Sequence, residues 1–89
     1  MHSVIPPYSL EALSIASGSL WRHYKSPEVE NYVVSCVARV ESTQEEVVVY
    51  RACFGDENIW TRPVTDFLSS ATNERGEVVA RFLPVTAEY

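Results

Sequence analysis

The sequence predicts a small, mainly β domain: an SH3-like barrel of about five short strands, with a short N-terminal helix and one helical turn before the last strand. Three observations lead there. Short runs of alternating apolar and polar residues recur from Leu20 onward, prolines and polar turns bound those runs, and a chain of 89 residues has too few for two stacked sheets yet must dispose of its strand edges. An open sheet packed on the N-terminal helix is the alternative architecture. With 46% apolar residues and three glycines, the composition is that of a folded unit. A domain this short buries only about 60 to 65% of its unfolded surface, so most large apolar side chains are needed for the core.

Residues 1–17, with Pro6 and Pro7, form an appendage to a domain spanning 18–89. In the appendage Ser9 caps a short helix carrying Leu10, Leu13 and Ala16 on one face, with Gly18 as its left-handed stop. The stretch LWRHYK, Leu20 to Lys25, is the first strand and ends at Ser26-Pro27. In NYVVSCVARVE, alternation points Tyr32, Val34, Cys36, Ala38 and Val40 inward, leaving Asn31, Ser35, Arg39 and Glu41 outside. After the turn STQE, EVVVYRACF turns Val48, Tyr50, Ala52 and Phe54 away from Arg51, and the two runs make a long hairpin. GDEN is a loop, and IWTRP is a strand stopped by Pro63. VTDFLSSAT is a helical turn directing Val64, Phe67 and Leu68 at the sheet, and VVARFLPV, set off by NERG, is the last strand.

A net charge of −5 argues against a general nucleic-acid binder, while leaving local basic patches open. No apolar run approaches the length of a spanning helix and MHSVIPPYSL has no basic leader, which predicts a soluble, cytoplasmic protein without a membrane partner. Cys36 and Cys53 lack CxxC spacing and have only His2 and His23 to help, so no metal site and no cofactor are expected. The cysteines read as free core thiols, unbridged because strict alternation puts them on opposite faces of the hairpin. The acidic run 41–46 lacks the spacing and glycine of a calcium loop and reads as a solvated turn.

Four segments in register, LWRHYK, VVVYRACFGD, IWTRPVTDF and ARFLPV, closely resemble the small bacterial family called domain of unknown function 1653, over Gly18 to about Val85. The resemblance implies family-matching positions at Arg22, His23, Tyr24, Lys25, Tyr50, Trp60, Arg62, Pro63, Phe67, Arg81 and Phe82. Where the family commonly has a His-Ser-Glu-Thr turn, this chain has Val40-Glu41-Ser42-Thr43, so no site using that histidine carries over. The family name attaches no activity.

In an extended strand Trp21, His23 and Lys25 face one way and Arg22 and Tyr24 the other, whereas Trp60 and Arg62 share a face. If the first and fourth strands turn these residues to one groove, Arg22, Tyr24, Trp60 and Arg62 form a cationic, aromatic-walled cleft. Arginine offers a planar fork matched to phosphate, and an aromatic face stacks on a base for about 1 to 3 kcal/mol. His23, Lys25, Tyr50 and Arg81 are secondary candidates. The expected function is therefore a non-enzymatic binding module for a nucleotide-like or oligonucleotide ligand. The alternative is a protein-interaction module that docks a peptide, a partner subunit or a second copy of the chain. A small hydrolase built on His23 ranks third and no catalytic residue is assigned, because no G-x-S-x-G, H-E-x-x-H or P-loop pattern is present. The competing structural reading makes Trp60 the main core residue beside Tyr50 and Phe67, with the arginines paired to Glu41, Glu45, Glu46 or Asp66.

Overall fold

The computed structural model describes residues 6–85. Its elements in order are helix α1 (Leu10–Leu13), strands β1 (Leu20–His23), β2 (Tyr32–Arg39), β3 (Glu46–Ala52) and β4 (Ile59–Pro63), helix α2 (Val64–Phe67), and strands β5 (Ser70–Thr72), β6 (Val78–Ala80) and β7 (Phe82–Val85). Five strands form one antiparallel sheet in the order β4-β3-β2-β1-β7, and β5 and β6 form a separate two-stranded ribbon.

The mainly β class, the β2–β3 hairpin and the two short helices match the sequence reading. The closed SH3-like barrel does not: β4 and β7 end the sheet on opposite sides, so it is open. The reason lies at Arg81, inside what reads as one final strand. The Arg81 amide donates to the Ser69 carbonyl and its carbonyl accepts from the Tyr24 amide. The chain thus leaves the ribbon and enters the large sheet at that residue, which makes two strands of one. The seventh strand is β5, because the segment read as a helical turn over 64–72 is helical only to Phe67, exposes Leu68 and then pairs Ser70–Thr72 with β6. β7 then pairs with β1, Leu20 opposite Val85 and His23 opposite Phe82, and among the described residues no strand closes onto β4.

Pairing register sets which side chains are buried. Val34 sits opposite Tyr50, but Cys36 sits opposite Val49, so Ser35 is an extra residue in a β-bulge. The bulge reverses the alternation: Tyr32 and Val34 face the core as expected, whereas beyond it Val37 packs inward and Cys36 is exposed. Both cysteines are free and exposed, which corrects the core-thiol reading. They also share the open face, since Cys36 aligns with Val49 and hence with the odd-numbered side of β3.

One face of the sheet is covered by α1 and α2. Phe67 and Val48 are fully buried, joined by Val34, Val64, Tyr50, Phe82, Ala12 and Ile15. Phe67 stacks on Phe82 with centroids 4.2 Å apart, and Trp21 meets Phe67 edge-on at 5.1 Å. α1 turns Ala12 to this core, joined by Ile15 just beyond its end, and leaves Leu10 and Leu13 exposed, the reverse of the expected face. Its phase is set by Ser9, whose amide and hydroxyl both donate to the Glu46 carboxylate, at 2.7 and 2.6 Å, while its oxygen accepts from the Ala12 amide as the N-cap. Gly18 has positive φ, but it lies in the turn into β1, five residues beyond the end of the one-turn helix.

Candidate functional site

β4 is an edge strand, and its pairing with β3 places Trp60 opposite Tyr50 and Arg62 opposite Val48. Residues directly opposite share a face, so both point to the packed side of the sheet. Trp60 keeps 51% of its surface exposed, and with Tyr32, Tyr50, Arg62, Pro63 and Asp66 it lines an open cleft of about 500 Å³. The tryptophan that packs against the core is the partly buried Trp21, which corrects the reading of Trp60 as the central core residue.

Arg62 is held on three sides. Its Nε donates to the Tyr50 hydroxyl at 3.3 Å, its Nη1 to Asp66 Oδ2 at 2.7 Å, and its guanidinium lies 5.3 Å from the Phe82 ring centroid. Burial disfavours its charge, but the Tyr50 and Asp66 contacts outweigh that cost and keep it cationic. Pro63 makes the ion pair possible: it stops β4 and opens α2, so Asp66 stands one turn beyond Arg62. Of the carboxylates proposed as partners for the arginines, Asp66 is the one used in this cleft.

Arg81 reaches the same carboxylate from the other side, with Nε 3.9 Å from Asp66 Oδ1 and 3.0 Å from Ser69 Oγ. Two guanidiniums share one carboxylate, which leaves a local surplus of positive charge in a chain of net charge −5. His23 registers that field. Its ring meets Phe82 edge-on at 5.0 Å, and its pKa is lowered by burial first and then by Arg62, Arg81 and Lys25. Its Nδ1 accepts from the Lys25 amide at 3.2 Å and, among the described residues, no carboxylate hydrogen-bonds to it.

The four residues expected to share one cleft are divided. Trp60 and Arg62 are together, and the secondary candidates Tyr50 and Arg81 belong to the same cluster. Arg22 is on the opposite face, opposite Leu83, and pairs with Glu28 at 3.6 Å. Tyr24 and Lys25 line a second cleft with the β5–β6 turn. β2 and β3 lie between β1 and β4, so the first and fourth strands cannot wall one groove. Sequence reasoning missed Tyr32, whose inward position in the alternation was the available signal, and the convergence of Arg81 on Asp66, for which there was none.

Among the described residues no cluster of His, Cys, Asp and Glu could hold a metal ion, and no helix is long and apolar enough to cross a membrane. A family model described as "Protein of unknown function (DUF1653)" matches residues 19–84. The crystal structure of a DUF1653 protein from Bordetella bronchiseptica aligns with a TM-score of 0.67 at 27% identity, covering 86% of this chain and 99% of that one. No curated protein matches the chain.

Proposed function

Since the chain belongs to the DUF1653 family, whose description assigns no chemistry, we propose from the cleft itself that it is a binding module for a planar ring bearing an anionic group, with a nucleotide as the model ligand. The observation that carries this reading is a half-exposed Trp60 beside an arginine already immobilised by Tyr50 and Asp66. Trp60 offers a half-exposed ring for stacking, and Tyr32 lines the cleft beside it. Among the described residues Arg62 Nη2 has no protein partner, and an oxyanion can accept from it. An immobilised guanidinium loses little further entropy on binding, which is what lets one arginine and one stack reach micromolar affinity, about −8 kcal/mol. The two exposed free thiols suit a reducing compartment, and the reading places the protein in the cytoplasm.

Titration with mononucleotides and short oligonucleotides, followed by tryptophan fluorescence at two salt concentrations, tests the proposal. The expected result is saturable quenching that weakens with salt and is lost in Trp60→Ala and Arg62→Lys. If nothing in the panel binds the wild type, the phosphate-ligand reading is abandoned. A second reading then takes its place: β4 is an edge strand with Ile59, Trp60 and Thr61 exposed, the geometry on which an extended peptide adds as a further strand.

A further inference from the structure

A second cleft, of about 680 Å³, opens between the end of β1 and the β5–β6 turn, lined by Tyr24, Lys25, Thr72, Asn73, Glu74 and Arg75. Its walls are anchored by backbone. On one side the Tyr24 amide donates to the Arg81 carbonyl at 3.0 Å and the Lys25 amide to His23 Nδ1 at 3.2 Å. On the other, Asn73 Oδ1 accepts from the amides of Arg75 and Glu77, at 3.0 and 2.9 Å, and its carbonyl accepts from Gly76 at 3.0 Å. Gly76 has φ +77°, a conformation that side chains resist, so the turn is specified by its own residues.

The cations here differ from the others in the chain. Arg22, Arg51, Arg62 and Arg81 each face a carboxylate, and Arg39 donates to the Pro6 carbonyl and covers the Tyr8 ring. Among the described residues Lys25 and Arg75 have no carboxylate partner, and both line this cleft. Lys25 Nζ instead lies 5.7 Å from the Tyr24 ring centroid. In an acidic protein, two cations with no carboxylate within salt-bridge distance line one concavity beside an aromatic ring, and against the single carboxylate of Glu74 the lining keeps a net positive charge, which suits an oxyanion.

We propose that this cleft is a second binding site, separate from the Trp60–Arg62 cleft, for an organic oxyanion of the phosphate-monoester or carboxylate class. Lys25 and Arg75 hold the oxyanion and the Tyr24 ring receives the organic part. Thr72 supplies a hydroxyl on the same wall, and Glu74 opposes the anion, limiting affinity for a bare ion and favouring a ligand that also carries a donor.

The test is an NMR titration of the full chain with phenyl phosphate, benzoate, inorganic phosphate and neutral benzyl alcohol, read from backbone amides. Phenyl phosphate or benzoate is expected to shift the amides of Lys25 and Arg75 saturably, while benzyl alcohol leaves them in place. Whichever of the two binds more tightly assigns the oxyanion class. Lys25→Gln and Arg75→Gln should each weaken binding about tenfold, and Glu74→Gln should strengthen it severalfold. Absence of saturable shifts at these amides, or shifts that persist unchanged in Arg75→Gln, overturns the proposal. So does a response confined to Trp60 and Arg62.

Discussion

The two tryptophans divide the work of the molecule, and single substitutions should separate their roles. Trp21 meets Phe67 edge-on and donates its indole N–H to Ser19 Oγ at 2.8 Å, so Trp21→Ala removes packing against the core and should cost about 2 to 3 kcal/mol. Trp60 is half-exposed at the cleft, and Trp60→Ala should cost no more than about 1 kcal/mol while abolishing the proposed nucleotide binding. Urea denaturation of the two variants checks this, and equal losses of stability would contradict the assignment. Arg62 is not a free surface charge. Arg62→Ala strips the buried Tyr50 of its hydroxyl partner and uncovers Phe82, so it should lower stability by about 1 to 3 kcal/mol as well as binding. Arg62→Lys retains a charge but not the fork, which makes it the better probe of recognition.

At the scale of elements, α1 is a single turn whose stability comes from tertiary contacts, since an isolated helix of four residues does not form. Ser9 holds it twice, as N-cap and as donor to Glu46. Ser9→Ala should destabilise by about 1 kcal/mol through the cap alone, seen as a lower Tm. The two hydrogen bonds that Ser9 donates to the Glu46 carboxylate lower the pKa of Glu46, the Ser9 hydroxyl contributing most and its amide next. Their stabilisation is complete above the ordinary value of 4.5 and is lost as pH falls through the depressed value. Deleting residues 1–17 removes Ala12 and Ile15 from the core, so the shortened chain should unfold cooperatively at a lower temperature. A chain with no cooperative transition would show that the helix is indispensable to the fold.

At the scale of the whole molecule, an open sheet must protect two edges that a barrel would have joined. Each carries a proline, Pro63 at the end of β4 and Pro84 within β7, and a net charge of −5 opposes self-association. The positive interior margin formed by Arg62 and Arg81 gives the fold its own pH response through His23. Because burial and those cations lower its pKa below the ordinary 6.5, the unfolded chain takes up a proton first as pH falls. Stability is therefore highest above about pH 6.5, declines below it, and levels off once the folded imidazole is also protonated. Denaturation of wild type and His23→Gln between pH 7.5 and 5 should show a decline in the first that is smaller in the second. Equal slopes would remove His23 from this role.

The sequence by itself determined what depends on neighbouring residues: the mainly β class, the β2–β3 hairpin, the stop at Pro63 and the shared face of Trp60 and Arg62. Its four motif segments also sufficed to place the family over nearly the span that the family model matches. Those features follow from period-two alternation and turn chemistry, which act over a few residues. The tertiary structure decided the rest. Ser35 looks like any outward strand residue, and only its lack of a partner on β3 makes it a bulge that reverses Cys36 and Val37. Arg81 looks like the middle of one strand, yet its backbone bonds to Ser69 and Tyr24 split that strand and leave the sheet open. With β2 and β3 between them, β1 and β4 cannot share a groove, so Arg22 and Tyr24 are separated from Trp60 and Arg62. Strand order is set by hydrogen bonds between residues far apart in the chain, and no local pattern encodes which edge a strand will find.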